Sequence, residues 1–99
     1  MARFNVYVNP HSSGYLLDVQ ADVHSHFNTR MVVPLLPIDH APKPANILNP
    51  LFNIAGEQHV MMTQFMAAVP VKVLKSAVFS VTDRHNEIVA ALDLLLQGF

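Results

Sequence analysis

Phe4, Val6 and Val8 alternate with Arg3, Asn5 and Tyr7. A period of two predicts a half-buried strand with Phe4, Val6 and Val8 on its inner face. Asn9-Pro10-His11-Ser12-Ser13-Gly14 breaks the pattern, because Pro fixes φ and Gly supplies φ > 0. Alternation then resumes. Leu17, Val19, Ala21 and Val23 fall on one face and Leu16, Asp18, Gln20 and Asp22 on the other, predicting a second strand that closes a hairpin. After a polar loop from His24 to Thr29, Arg30 to Leu35 is extended again. Pro34 has no N–H for a ladder, which predicts an edge, a bulge or the end of pairing there.

Pro37, Pro42 and Pro44 make 37–46 a surface loop with a restricted backbone. Asn46 to Ile54 and Gln58 to Phe65 are predicted strands around the short link Ala55-Gly56-Glu57. Val69 to Leu74 is β-branched and apolar, interrupted by Pro70. Beyond it the period lengthens. Ile88, Leu92, Leu95 and Phe99 recur at helical spacing, and Leu94 and Leu96 widen the stripe. Thr82 or Asp83 is the expected N-cap, Asp83 and Glu87 suit the positive end of the helix dipole, and Gly98 is placed to end the helix. Five or more short strands followed by one helix form a single domain over 1–99.

Composition changes this picture in one respect. Of 99 residues, 52% are hydrophobic and 13% charged, against roughly 25% charged in an ordinary soluble domain. A chain this short buries only about 60–65% of its unfolded surface. The apolar excess predicts a subunit interface. Charge and cysteine content then remove whole classes. Six Lys and Arg against seven Asp and Glu leave no basic surplus for phosphates, so direct nucleic-acid binding is not expected. No cysteine means no disulfide, zinc–thiolate or thiol nucleophile. No apolar run reaches the roughly 18–20 residues of a membrane span. The first residues lack a signal-peptide h-region, so a cytoplasmic location is expected.

Candidate chemistry is sparse. His24 and His26 would share a face of an extended segment, with Asp22 or His11 as further metal ligands, but no helix-borne ligand pair appears. Solvated loop histidines are the simpler account, and His40, His59 and His85 are polar filler. The serines lack a nucleophile-elbow context. Asp18 and Asp22 would lie some 13 Å apart on a strand, wider than a glycosidase pair. No cofactor is implied and no catalysis is supported. Met31, Met61, Met62 and Met66 fit core packing, although an adaptable interface has the same composition. The apolar end, Leu94-Leu95-Leu96-Gln97-Gly98-Phe99, fits either a helix end docked on its own sheet or a recognition tip.

Six segments carry a resemblance. They are Phe4-Asn5-Val6-Tyr7, Asp18-Val19-Gln20-Ala21-Asp22-Val23, Arg30-Met31-Val32-Val33-Pro34-Leu35, Met61-Met62-Thr63, Met66-Ala67-Ala68-Val69-Pro70-Val71 and the closing helix with Gly98. Each is weak alone, but their order over the whole chain is specific. The chain resembles the CcdB family of toxins from toxin–antitoxin pairs. The resemblance implies a mainly β fold, an SH3-like, CcdB-type antiparallel β-barrel with one C-terminal α-helix, assembled as a symmetric homodimer. It also implies a protein that is not an enzyme. Such toxins bind the A subunit of DNA gyrase and trap the gyrase–DNA cleavage complex. A CcdA-like antitoxin, whose disordered segment folds onto the toxin, neutralises them.

By the resemblance, the gyrase-facing surface comprises Val23 and His24, from the loop after the second strand, with Asp93, Leu96, Gln97, Gly98 and Phe99. Val23 and Gly98 match the family pattern, and Phe99 replaces another large apolar residue. His24 stands where an aliphatic is usual, Asp93 for Asn and Leu96 for Phe. Gln97 replaces a Trp that stacks on a gyrase arginine. The proline segment, with Pro42 and Pro44, is the expected antitoxin-binding site. A second reading therefore stands beside the first: a binding module on this scaffold that no longer poisons gyrase.

Overall fold

The computed structural model describes residues 2–24 and 26–98. Seven strands, Asn5–Val8 (β1), Tyr15–Asp18 (β2), Thr29–Pro37 (β3), Leu51–Ile54 (β4), Glu57–Met61 (β5), Ala67–Pro70 (β6) and Ala77–Ser80 (β7), precede one helix, His85–Gln97 (α1). All pairings are antiparallel, in the order β4-β5-β3-β2-β1-β7, with β6 also on β3. The sheet curls into a half-barrel, and α1 packs into its concave side.

Two layers of apolar residues explain why the strands are short but hold. Phe4, Val6, Leu17, Val19, Val33, Leu35, Phe52, Ile54 and Met61 meet Ile88, Ala91 and Leu92 of α1 in the main core. The alternate residues Tyr7, Leu16 and Val32 bury against Leu74 in a smaller cluster on the other face. The first strand therefore has two buried faces, and the expected inner face is corrected at both ends: Tyr7 is buried and Val8 is 56% exposed.

Pro34 sits inside the sheet, not at its edge. On one side it pairs with Leu16 of β2. On the other, β3 passes from β6, which ladders to Thr29–Val32, to β5, which ladders to Leu35–Pro37. Its carbonyl faces that handover and accepts the Met62 N–H at 2.9 Å. A residue without an amide proton costs least where one partner strand has ended and the next has not begun.

Other bounds shift for local reasons. The expected strand 46–54 begins only at Leu51, because Ile47 has φ +68° and Pro50 precedes the ladder. Val69–Leu74 divides into β6 and a 3₁₀ turn at Val71–Val73. The Ala55-Gly56 link holds, with both residues at positive φ as a tight twisted hairpin needs. Thr82 and Asp83 do not cap α1. They lie in a 3₁₀ turn, Thr82–Arg84, and Arg84 takes the cap position without a side-chain cap bond. Instead Arg84 ties the helix start to β4. Its Nη2 donates to the Leu51 carbonyl at 2.8 Å and to Glu87 Oε2 at 2.7 Å, and its guanidinium lies 4.3 Å from the Phe52 ring centroid. Gly98 ends the helix at φ +82°, its N–H bonding the Leu94 carbonyl at 3.0 Å.

Candidate binding surface

The helix end separates from the core one turn before it stops. Leu92 is buried, Leu95 is 36% exposed and Leu96 is 67% exposed. Gln97 Nε2 donates to Asp93 Oδ1 at 3.3 Å, an i,i+4 contact along the helix surface. Gly98 caps the helix in the left-handed conformation after Gln97. Phe99 lies outside the described residues.

The second component is the 3₁₀ turn Asp22–His24, where Val23 is 75% exposed. The turn is held from beneath by a buried ion pair, of which alternation had set Asp18 on the polar face of its strand. β2 stops at Asp18, and Asp18 and Arg30 are both fully buried. Arg30 Nε donates to Asp18 Oδ2 at 2.8 Å and Nη2 to Oδ1 at 2.9 Å, a forked pair. Burial pushes the Asp18 carboxyl above the ordinary aspartate range, more than the Arg30 hydrogen bond and the Gln20 amide pull it down. Ser25 and the His24 side chain lie outside the described residues. Among the described residues, no hydrogen bond or ion pair joins this turn to the helix end.

Sequence reasoning missed this pair. The signal was present, since Asp18 and Arg30 flank apolar runs in strands that ladder together, Asp18 opposite Val32. Only the register reveals that the two side chains meet.

The proline segment borders a cavity of about 560 Å³, lined by Pro44, Ile47, Leu51 and the α1 residues Glu87 and Ala90 among others. Pro42 is exposed two residues earlier. Buried Asn49 holds the loop in place: its Oδ1 accepts from the Ala45 N–H, and its Nδ2 donates to the Met61 carbonyl and to Gln64 Oε1, each at 2.9 Å. Thr63 Oγ1 donates to the Leu48 carbonyl. The groove is therefore a fixed depression and not a floppy loop. At its helical wall, the hydrogen bond from Arg84 holds the Glu87 carboxyl below the ordinary range.

The histidines are dispersed. His26 stacks edge-on with Phe27, His40 Nδ1 lies 3.2 Å from Ser13 Oγ, and His85 meets Phe4 edge-on. His59 is buried, not surface filler, with Nδ1 3.0 Å from the Glu57 carbonyl and its ring edge-on to Tyr15. Among the described residues, no three His, Cys, Asp or Glu side chains gather as a metal site. Among those residues, no helix is long and apolar enough to cross a membrane. Met61 and Met62 are fully buried, so they serve the core.

The half-barrel thus carries one C-terminal helix whose last turn exposes Leu96, and a pinned turn that exposes Val23. Residues 3–98 match the family described as CcdB protein, nearly the whole chain, and the chain belongs to that family.

Proposed function

We propose that the protein is the toxin of a type II toxin–antitoxin pair and that it acts by binding, not by catalysis. Membership of the CcdB family carries this reading. At the finer level, its target is the A subunit of DNA gyrase, whose cleavage complex with DNA it traps. The contact surface is Val23, His24, Asp93, Leu96, Gln97, Gly98 and Phe99, and the openness of Val23 and Leu96 supports it. The deciding experiment is a gyrase cleavage assay with purified protein. Accumulation of cleaved DNA supports poisoning, and its absence at saturating protein refutes it.

One observation favours the second reading. Gln97 occupies the position of the family's aromatic anchor and spends its amide on Asp93 within the helix. A CcdB-fold module that binds an antitoxin or another protein without poisoning gyrase would look this way.

The protein acts as a homodimer. Val8, Val23, Phe27, Ile47, Phe65, Val78, Phe79 and Leu96 are all more than two-fifths exposed in the single chain, more apolar surface than a small monomer carries comfortably. Sedimentation at micromolar concentration is expected to give twice the chain mass. A species of single-chain mass would overturn this.

The cognate CcdA-like antitoxin is received at the proline segment, where Pro42 and Pro44 restrict the backbone beside the 560 Å³ groove. Restricted chains lose less entropy on docking. Replacing Pro42 and Pro44 together with Gly is expected to weaken antitoxin binding several-fold and to spare gyrase. Titration calorimetry on both partners checks this, and equal weakening of both, or of neither, counts against it.

A further inference from the structure

We propose that Gln20, with Asp18 and Arg30, is a positioning residue: the three side chains replace the missing ladder beyond β2 and present Val23 on a pre-ordered turn. The proposal rests on the reading of Val23 as a partner contact and assigns roles to residues that do not themselves belong to that surface.

Where β2 ends, main-chain pairing to β3 continues for one more bond, from the Val19 N–H to the Met31 carbonyl at 3.0 Å. Beyond it, side chains take over. The Gln20 N–H donates to Asp18 Oδ1 at 3.0 Å, and the Gln20 carbonyl accepts from Arg30 Nη2 at 3.1 Å. The Gln20 side chain returns the exchange, its Oε1 accepting the Met31 N–H at 3.3 Å. Every main-chain polar group of Gln20 is thus held by the buried pair, and its amide closes the circuit onto β3. Two residues later, Asp22 Oδ1 accepts the Arg3 N–H at 2.7 Å, while Arg3 Nε donates to the Val19 carbonyl at 3.1 Å. Residues 19–22 are fixed at both ends and in the middle, and Val23 follows directly.

Such support matters at a contact point. An apolar anchor on a mobile loop loses ordering entropy on binding, and one already held does not. Of the holding groups, Asp18 and Arg30 are fully buried and Gln20 half buried, while Asp22 is exposed.

The test uses two substitutions of equal length. Gln20→Met removes the Oε1 acceptor, and Gln20→Glu keeps one for the Met31 N–H. In Gln20→Met the backbone order parameter at Val23 is expected to fall from about 0.85 to below about 0.6, while the core strands stay unchanged. Gln20→Glu is expected to restore it. Affinity for the gyrase A subunit should drop about tenfold in the Met variant and recover in the Glu variant, with antitoxin affinity constant in both. A role in overall stability alone would move neither the local order parameter nor the split between partners. An unchanged Val23 order parameter in Gln20→Met overturns the proposal. A loosened turn with undiminished gyrase affinity upholds the positioning role and refutes Val23 as a gyrase contact. Should the wild type itself not bind gyrase, that reading fails separately and the order parameter alone decides.

Discussion

Asp18→Leu is expected to lower the unfolding free energy by about 3–5 kcal/mol, a large share of what a small domain possesses. The substitution leaves the Arg30 guanidinium, in a site of zero exposure, with only the largely exposed Asp22 carboxylate at 3.8 Å. Arg30→Met should cost less, because an orphaned carboxylate can take up a proton and a guanidinium cannot lose one. Replacing both together is expected to return stability to within about 1–2 kcal/mol of wild type, since two buried charges roughly offset their own desolvation. Urea unfolding of the four proteins at one fixed concentration measures the cycle. If the double variant is as unstable as Asp18→Leu, the pair supplies net stability and this account of it is wrong.

The same pair fixes a pH dependence. Burial holds the folded-state Asp18 carboxyl above its ordinary value, so the folded protein binds this proton more readily than the unfolded chain does. Its contribution is therefore fully present below the ordinary aspartate range and is lost as pH rises through the raised value. Between those limits, acidification should stabilise wild type relative to the double variant. Glu87 runs the other way, its contribution lost as pH falls through a lowered value. It is present in both proteins and cancels in the comparison. A double variant that is stable yet binds its partner poorly would show that the pair is kept for conformation.

The curled sheet and closing helix were legible because Ile88 and Leu92, and the alternating residues around Leu17, obey one period each. The misreading of the first two strands has one physical origin, which is burial on both faces. Tyr7, Leu16 and Asp18 occupy what alternation marks as the solvent side, yet the segment ending at Leu74 covers Tyr7 and Leu16 there. No period within β1 or β2 announces a cover supplied by residues some sixty positions away. Pro34 left an edge, a bulge or the end of pairing open, because the handover from β6 to β5 is a property of three strands, not of one. Composition left the apolar residues at 94–96 open between a docked helix end and a recognition tip, because burial of one helical turn depends on the sheet it meets. The pinned turn was not, because the Asp18–Arg30 contact depends on register and the role of Gln20 depends on that contact.

Gln97→Trp is expected to raise affinity for the gyrase A subunit by about one to three factors of ten. The site is suited to the change. Gln97 is exposed on the last turn of α1, and its one side-chain bond, to Asp93, is a surface i,i+4 contact of about 0.2–0.5 kcal/mol. Its loss hardly opposes the gain. An aromatic ring over an arginine plane contributes roughly 0.5–2 kcal/mol, more when water is excluded. A twofold dimer would offer the ring twice at one interface, and 1.4 kcal/mol is one factor of ten. Dimerisation and antitoxin binding should be unaltered, because the proline groove is lined by the first half of α1 and not by its end. Surface binding to the gyrase subunit, with cleavage-complex yield alongside, checks the outcome. If wild type traps gyrase as well as the Trp variant, the ring is dispensable and Gln97 is no deficit. If neither binds, the other departures, His24, Asp93 and Leu96, have redirected the surface. The tip then serves a different partner, one whose contact with Leu96 and Val23 needs no aromatic at position 97.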